Sequence, residues 1–147
     1  MKVSLITGSR RWPTTERDPI HEVLLGTELL IVGDAPGVDR IAIDWAIAND
    51  CIVRVYCCNH AQFQQLQPLP NVYVEMVADW RKWKKQAGNI RNARMVREAA
   101  EIQMQLGLRV NAHAFPLAGS TGTWDCYQQA KDSGIDIQLH EPGADYA

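Results

Sequence analysis

Residues 116–125 combine glycine, serine and threonine in a pattern suited to binding an anion. Gly119 and Gly122 let a ligand approach the backbone, and the hydroxyl side chains near them could cap a helix or donate hydrogen bonds. The segment separates an apolar run that ends at Phe115 from residues with helical spacing that begin near Thr121. N–H groups at such a helix start are unpaired and lie at the positive end of the helix dipole. The pattern predicts a phosphate site, and an ordinary capped loop is the alternative.

Two more glycine-bearing turns follow apolar runs that are typical of buried strands. Gly8, Ser9 and Arg10 end the first run, and Gly33 and Gly37 enclose the turn after the second. Ser9 and Arg10 are therefore candidates for phosphate contacts. In a parallel sheet the turns after the strands open on one edge, where ligand crevices lie. Together with the segment described above, these turns predict a pocket for a nucleotide-like small molecule at that edge.

The spacing of apolar residues predicts an α/β fold, because short apolar runs alternate with segments of helical periodicity. We expect a single Rossmann-like three-layer domain in residues 1–140, with a mainly parallel sheet of about five strands, and a flexible tail in residues 141–147. The main strands are predicted at residues 2–7, 29–32, 52–56, 108–115 and 135–139, with a short extra edge strand at 71–76. The predicted helices cover residues 18–25, 38–49, 89–106 and 121–132.

The segment 78–85 is rich in basic and aromatic residues, and we predict a loop or lid there. Asp79 and Trp80 could form part of a wall for a purine base, since an indole face suits such a ring. Trp12, Trp80 and Trp83 all fall in predicted loops rather than at core positions. A solvated loop is the simpler interpretation of the basic residues, and a single-stranded nucleic-acid surface is the alternative.

Composition narrows the class of protein. The chain has 147 residues, 46% of them hydrophobic, which suits one domain with one core. Its net charge of −2 argues against a general nucleic-acid binder, so nucleic acid is not expected as a partner. The four cysteines and four histidines lack metal-ligand spacing, and we expect reduced thiols, no metal and no cofactor. No apolar run is long enough to span a membrane, so we expect a cytoplasmic protein without membrane contacts.

The motifs are specific as an ordered set, although each is weak alone. They are Gly8-Ser9-Arg10 with Trp12, residues 33–39 leading into Trp45, Ala78-Asp79-Trp80, residues 87–92 with Met95, and residues 114–125. In this order and spacing they resemble the YspA-like (DUF2493) branch of the SLOG superfamily of Rossmann-like proteins. The resemblance covers nearly the whole chain up to about Leu139.

The resemblance implies a site for a nucleotide or a nucleotide derivative. The superfamily includes sensors of NAD- or ADP-ribose-derived signals, the DNA-processing protein A type that binds single-stranded DNA, and the phosphoribohydrolases called Lonely Guy. The last group pairs an Arg-(Lys/Asn)-x-x-Met helix motif, which residues 91–95 match, with the motif Pro-Gly-Gly-x-Gly-Thr-x-Glu. Here the second motif is two residues longer and ends in Asp125 instead of Glu. This change affects catalysis more than phosphate binding.

Several polar side chains have both a ligand-binding and a structural interpretation. Arg91 lies near the predicted start of a long helix, where a cation is unfavourable, so we expect its guanidinium to hold a phosphate or ribose. Asp39 and Asp125 lie near helix starts, where a carboxylate either contacts ligand or complements the dipole. The predicted ligand-binding residues are Gly8, Ser9, Arg10, Gly33, Gly37, Asp39, Asp79, Trp80, Arg91, Asn92, Pro116, Gly119, Ser120, Thr121, Gly122, Thr123 and Asp125.

The residues and the resemblance together give three functional hypotheses. The first is binding of a nucleoside monophosphate or an ADP-ribose- or NAD-derived signal for sensing or sequestration, which suits a protein of phage or mobile-element origin. The second is a phosphoribohydrolase that cleaves the N-glycosidic bond of nucleoside 5′-monophosphates, with Arg91 holding the substrate and Asp125 assisting departure of the base. The third is single-stranded DNA binding, which the acidic balance disfavours. Relatives of this fold commonly pair, so we expect a homodimer or higher homo-oligomer.

Overall fold

The computed structural model describes residues 1–141, in which six strands form one sheet. The strands are β1 (Val3–Gly8), β2 (Leu29–Gly33), β3 (Ile52–Cys57), β4 (Val72–Met76), β5 (Asn111–Phe115) and β6 (Ile137–Leu139). Their order across the sheet is β4-β3-β2-β1-β5-β6, and every neighbouring pair is parallel. The predicted α/β class and parallel sheet are confirmed, with six strands instead of about five.

Helices cover both faces of the sheet and form two cores. They are α1 (Asp18–Leu24), α2 (Val38–Ala48), α3 (His60–Leu66), α4 (Trp80–Trp83), α5 (Ala87–Leu106) and α6 (Thr121–Asp132). Apolar residues of α1, α2 and α3 pack in one cluster with strand residues such as Ile6 and Val32. Residues of α5 and α6 pack in a second cluster with Leu5 and Ile31. Successive strand residues therefore face opposite cores, as three layers require.

The region between β3 and α5 contains two short helices where the sequence predicts none. Asn59 starts α3 because its side-chain oxygen accepts a hydrogen bond from the Gln62 backbone N–H at 3.0 Å. Asp79 starts α4 in the same way, with its Oδ1 2.9 Å from the Arg81 backbone nitrogen. Both residues are N-caps, which are local signals for a helix start. The loop or lid expected at residues 78–85 is therefore wrong, since a helical turn occupies most of it.

Trp12 corrects a second expectation, because it lies in a loop and is nevertheless a core residue. Its side chain is 4% exposed and packs edge-to-face on Phe115, with ring centroids 5.8 Å apart. The indole N–H donates to the Glu16 carbonyl at 2.7 Å. Helical spacing cannot report such a contact, because the loop folds back over the end of β5.

The sheet order reverses direction at β1, which positions the candidate site. Strands β2, β3 and β4 lie on one side of β1, whereas β5 and β6 lie on the other. In open parallel sheets, ligands bind outside the carboxyl ends of the strands at this reversal. The predicted flexible tail falls almost wholly on residues 142–147, outside the described residues. Within residues 1–141, no helix has the length and apolar character needed to cross a membrane.

Candidate functional site

The turns after β1 and β2 contact each other and the end of β5. The Ser9 backbone N–H donates to the Phe115 carbonyl at 2.9 Å, and the Ser9 carbonyl accepts from Val38 N–H at 3.2 Å. Gly37 has a φ of +80°, and a Cβ there would lie 2.3 Å from the Ser9 carbonyl oxygen. Only glycine satisfies both conditions. The glycine-bearing turns therefore meet at the carboxyl edge of the sheet.

The start of α6 has backbone N–H groups with no protein acceptor. Ser120 does not cap the helix, because its Oγ accepts a hydrogen bond from the Leu117 backbone N–H at 2.9 Å instead. Thr121 N–H donates to the Gly119 carbonyl at 2.9 Å. Among the hydrogen bonds within residues 1–141, none is donated by the backbone N–H of Gly122 or Thr123. Two donors at the positive end of a twelve-residue helix therefore lack a protein acceptor, and Gly122 is the exposed residue of the two.

Asn92 connects this helix start to α5. Its side chain is 1% exposed, and Nδ2 donates to the Gly122 carbonyl at 3.0 Å and to Asp125 Oδ2 at 3.1 Å. Its Oδ1 accepts from Nε and Nη2 of Arg91, both at 3.3 Å. The side-chain amide thus donates through Nδ2 and accepts through Oδ1, which fixes its orientation. Asn92 holds the first turn of α6 in place.

Asp125 lies one turn into α6 and is half-buried. Besides Asn92, its Oδ2 accepts a hydrogen bond from Gln129 Nε2 at 2.8 Å. Its Oδ1 has no hydrogen-bond partner within residues 1–141, so one lone-pair face of the carboxylate is available. An oriented carboxylate of this kind can accept a hydroxyl or stabilise a developing positive charge.

Arg91 is buried in an ion pair rather than presented to solvent. Its Nη1 lies 3.0 Å from Asp34 Oδ1, and the two side chains are 12% and 2% exposed. Asp34 Oδ2 also accepts from the backbone N–H groups of Cys58 and Asn59, at 3.0 and 2.8 Å. The guanidinium predicted to hold a phosphate is therefore already paired by a carboxylate that the sequence reasoning did not single out. Asp34 directly follows the end of β2 at Gly33, and that position was the available signal.

Asp39, at the start of α2, is the second buried carboxyl group near Arg91. Its Oδ2 accepts from the Ala35 N–H at 3.1 Å, while Oδ1 is buried without a hydrogen-bond partner in residues 1–141. A Cβ at Gly33 would lie 2.8 Å from Asp39 Oδ2 and 2.9 Å from Arg91 Cζ, so both side chains need the bare glycine. Burial raises the pKa of Asp39 to about 7, although Arg91 acts to lower it.

Other candidate residues lie at the exposed rim. Asp79 is ion-paired with Arg81, whose hydrogen bonds lower the pKa of this carboxyl to about 2. Trp80 is 48% exposed, and its backbone N–H donates to the Cys58 carbonyl at 2.8 Å, which places it beside the end of β3. Arg10 is exposed in the turn after β1. These positions leave an indole face and a guanidinium accessible to a ligand.

The predicted residues therefore fall into two groups. Contacts join one group into a network at the carboxyl edge: Gly8, Ser9, Gly33, Gly37, Asp39, Arg91, Asn92, Gly122 and Asp125. The turn before α6 supplies Pro116, Gly119, Ser120, Thr121 and Thr123, of which Pro116 and Thr123 are buried. Arg10, Asp79 and Trp80 stand apart at the rim. Their roles toward a ligand stay predictions, and Asp34 and Gln129 are additions that the tertiary structure supplies.

Comparison with known proteins identifies a phage protein that is similar to this chain. The Gene 61 protein of Mycobacterium phage D29 is 33% identical over 143 residues, which cover 93% of this chain and 94% of that protein. This chain belongs to the Gene 61 protein family. No protein-family model matches it. The Gene 61 family thus has at least one phage member of nearly the same extent.

A solved structure shares the fold of this Gene 61 family member. It is the X-ray structure of DNA processing protein A (DprA) from Streptococcus pneumoniae, with a TM-score of 0.71 and 18% sequence identity. The match covers 97% of this chain but 50% of that chain, so this chain spans half the length of that structure. At this level of identity the likeness supports the Rossmann-like fold.

Proposed function

We propose that this protein binds a nucleotide-derived small molecule, such as a nucleoside monophosphate or an ADP-ribose-derived signal, at the carboxyl edge of its sheet. The observation that carries the proposal is the uncapped start of α6, where the N–H groups of Gly122 and Thr123 lack protein acceptors in the described chain. This helix follows β5, directly beside the reversal in strand order at β1. A phosphate bound there gains two hydrogen bonds and a favourable dipole.

The surrounding residues suit the other parts of a nucleotide. The open Oδ1 of Asp125 can accept a ribose hydroxyl, since Asn92 and Gln129 already orient this carboxylate through Oδ2. The exposed indole of Trp80 offers a stacking face for the base. Arg91 acts in this proposal as a positioning residue, because its guanidinium holds Asn92 and Asp34.

Two variants of Gly122 test the phosphate contact. Gly122→Pro removes one of the two N–H donors at a first-turn position that tolerates proline. Gly122→Ala keeps the donor, and its Cβ meets no protein atom within 4 Å. By titration calorimetry with AMP, the proline variant should bind roughly ten- to a hundredfold more weakly than the alanine variant, as expected for a lost hydrogen bond to a charged group. Equal affinities, or no binding of AMP and ADP-ribose to the unaltered protein, would refute the proposal.

Hydrolysis is the second candidate, and the orientation of Asp125 favours it. A carboxylate one turn from the phosphate could stabilise positive charge on the ribose as the glycosidic bond breaks. The released base would then appear as free adenine when the protein is incubated with AMP. Chromatography should detect it with the unaltered protein and lose it with Asp125→Asn. Intact AMP after long incubation, together with measurable AMP binding, leaves binding as the function.

We further propose the family branch, the biological role, the location and the oligomeric state that the resemblance implies. The chain is assigned to the YspA-like branch of the SLOG superfamily on its ordered motifs, and the phage origin of its relative agrees with sequestration of a host nucleotide signal. We also propose that the protein acts in the cytoplasm. We propose further that it forms a homodimer or a higher homo-oligomer, and sedimentation velocity tests this oligomeric state directly. Single-stranded DNA binding is the disfavoured alternative, given a net charge of −2.

A further inference from the structure

Asp39 is the buried carboxyl group to which the proposed function gives no role. Its Oδ1 is the one buried side-chain polar atom within residues 1–141 that has no hydrogen-bond partner. Its Oδ2 has a single partner, the Ala35 backbone N–H. Buried polar atoms are nearly always paired, so an orphaned carboxyl oxygen needs a physical explanation. Protonation lowers the cost of leaving this oxygen unpaired, because a neutral carboxyl group is less costly to bury than a carboxylate.

The charged and titratable groups around Asp39 influence whether its carboxyl group holds a proton. Four charged or titratable side chains face it from the surrounding elements: Asp34 after β2, Cys58 after β3, Arg91 of α5 and Cys126 of α6. Asp34 accepts hydrogen bonds from two backbone N–H groups and forms the ion pair with Arg91. Asp39 has one such donor, and burial disfavours its charge. Arg91 pairs directly with Asp34, and it acts on Asp39 only through its charge.

A continuous set of contacts joins Asp39 to the proposed anion site. The Asp39 carboxyl and the Arg91 guanidinium pack against the bare Cα of Gly33. Arg91 donates to Asn92 Oδ1 at 3.3 Å, and Asn92 Nδ2 donates to the Gly122 carbonyl at 3.0 Å. The charge state of Asp39 therefore changes the electrostatic potential within the same network that holds the start of α6.

We propose that Asp39 couples ligand binding to protonation, so that a phosphorylated ligand is taken up together with one proton, which the Asp39 carboxylate binds from solvent. The inference rests on the proposed function, because it requires an anion at the start of α6. An anion at the start of α6 is repelled by an ionised Asp39. A neutral Asp39 adds no negative charge to the Asp34–Arg91 ion pair, so this repulsion is absent. Binding of the anion and binding of the proton then favour each other.

The coupling has a definite sign. With a pKa of about 7, Asp39 is mainly neutral at pH 6 and mainly ionised at pH 8, so we expect the protein to bind an anion more tightly at pH 6. If only the neutral form binds, the dissociation constant rises about tenfold between pH 6 and pH 8, since one proton with a pKa near 7 is involved. A ligand hydroxyl donated to an ionised Asp39 would give the opposite trend.

ADP-ribose is the suitable probe, because its pyrophosphate keeps a constant charge between pH 6 and pH 8. Titration calorimetry at pH 6, 7 and 8, in two buffers of different ionisation enthalpy, measures both affinity and proton uptake. The unaltered protein should take up protons and lose affinity about tenfold over this range. Asp39→Asn should bind with no pH dependence. The matched control is Asp44→Asn, an exposed carboxylate on the same helix paired with Arg40, which should behave like the unaltered protein.

The outcomes separate this inference from the function on which it rests. Binding of ADP-ribose with a flat or rising affinity toward pH 8, or a pH dependence that persists in Asp39→Asn, overturns the coupling alone. No binding at any pH overturns the proposed function and the coupling with it. Carbon-13 NMR of the side-chain carboxyl in the ligand-free, unaltered protein gives an independent readout that needs no variant. Titration of Asp39 near pH 7 supports the inference, and titration near pH 4 refutes it.

Discussion

Arg91 Nη1 lies 3.0 Å from Asp34 Oδ1, although 57 positions separate the two residues along the chain. This ion pair joins the long helix α5 to the turn after β2, at the edge where the proposed ligand binds. Asp34 in turn holds the backbone of Cys58 and Asn59 after β3. The buried carboxyl group of Asp34 thus joins three segments of the candidate site. We expect its loss to destabilise all three.

Arg91→Gln should destabilise the protein by about 3 to 5 kcal/mol, because it removes one partner of a buried ion pair and leaves the buried Asp34 carboxyl without it. Arg40→Gln is the matched control, since the Arg40–Asp44 pair has side chains that are 42% and 58% exposed. That change should cost at most about 1 kcal/mol. Urea denaturation measures both free energies of unfolding. Similar values for the two variants would contradict a structural role for the buried pair.

Gly37→Ala should destabilise the protein more than Gly134→Ala. Both glycines have positive φ values, +80° and +77°, so both variants carry backbone strain of about 1 to 3 kcal/mol. The ψ of −124° at Gly37 lies outside the left-handed helical region, so the strain there is the larger of the two. At Gly37 the added Cβ also meets the Ser9 carbonyl oxygen at 2.3 Å, whereas Gly134 has no atom within 4 Å. The clash should add about 1 to 3 kcal/mol in denaturant unfolding. Equal losses would show that the turns after β1 and β2 are not in close contact.

Asp39 should make the stability of the protein fall as the pH rises toward 7. The folded state holds its proton more tightly than the unfolded chain, because burial raises the pKa from 3.8 to about 7. This contribution is present below about pH 4 and is lost as the pH rises through 7. Relative to Asp39→Asn, the unaltered protein should lose about 3 kcal/mol between pH 5 and pH 8. Thermal and urea unfolding across this range measure the difference, and a constant difference would show that Asp39 has an ordinary pKa.

Trp80→Ala should weaken AMP binding without affecting ribose 5-phosphate. An aromatic side chain that stacks on a base contributes about 1 to 3 kcal/mol, which corresponds to roughly a five- to a hundredfold change in affinity. Trp80 is 48% exposed, so its removal should leave the fold intact. Trp80→Phe should restore most of the affinity for AMP. If both ligands lose affinity equally, Trp80 contributes to the site in some way other than base stacking.

The α/β fold and the convergence of the polar turns at one edge of the sheet were predictable because both follow from local patterns. Alternating apolar runs and helical spacing indicate a parallel sheet, and the helix predicted at residues 121–132 is confirmed as Thr121–Asp132. The glycine-bearing turns follow strand ends, so parallel strands bring them to one edge. Short polar helices were missed, since α3 and α4 depend on the single caps Asn59 and Asp79 rather than on apolar periodicity.

The sequence by itself therefore determined the layers, the parallel sheet and the edge at which polar turns converge, because residue spacing and strand direction are local properties. The tertiary structure decided which charged side chains at that edge form ion pairs and which stay unpaired. It paired Arg91 with Asp34, left Asp39 Oδ1 without a partner in the described chain, and buried Trp12 in a loop. Burial and pairing depend on segments that are distant in sequence, and they set whether a carboxyl group is charged at neutral pH.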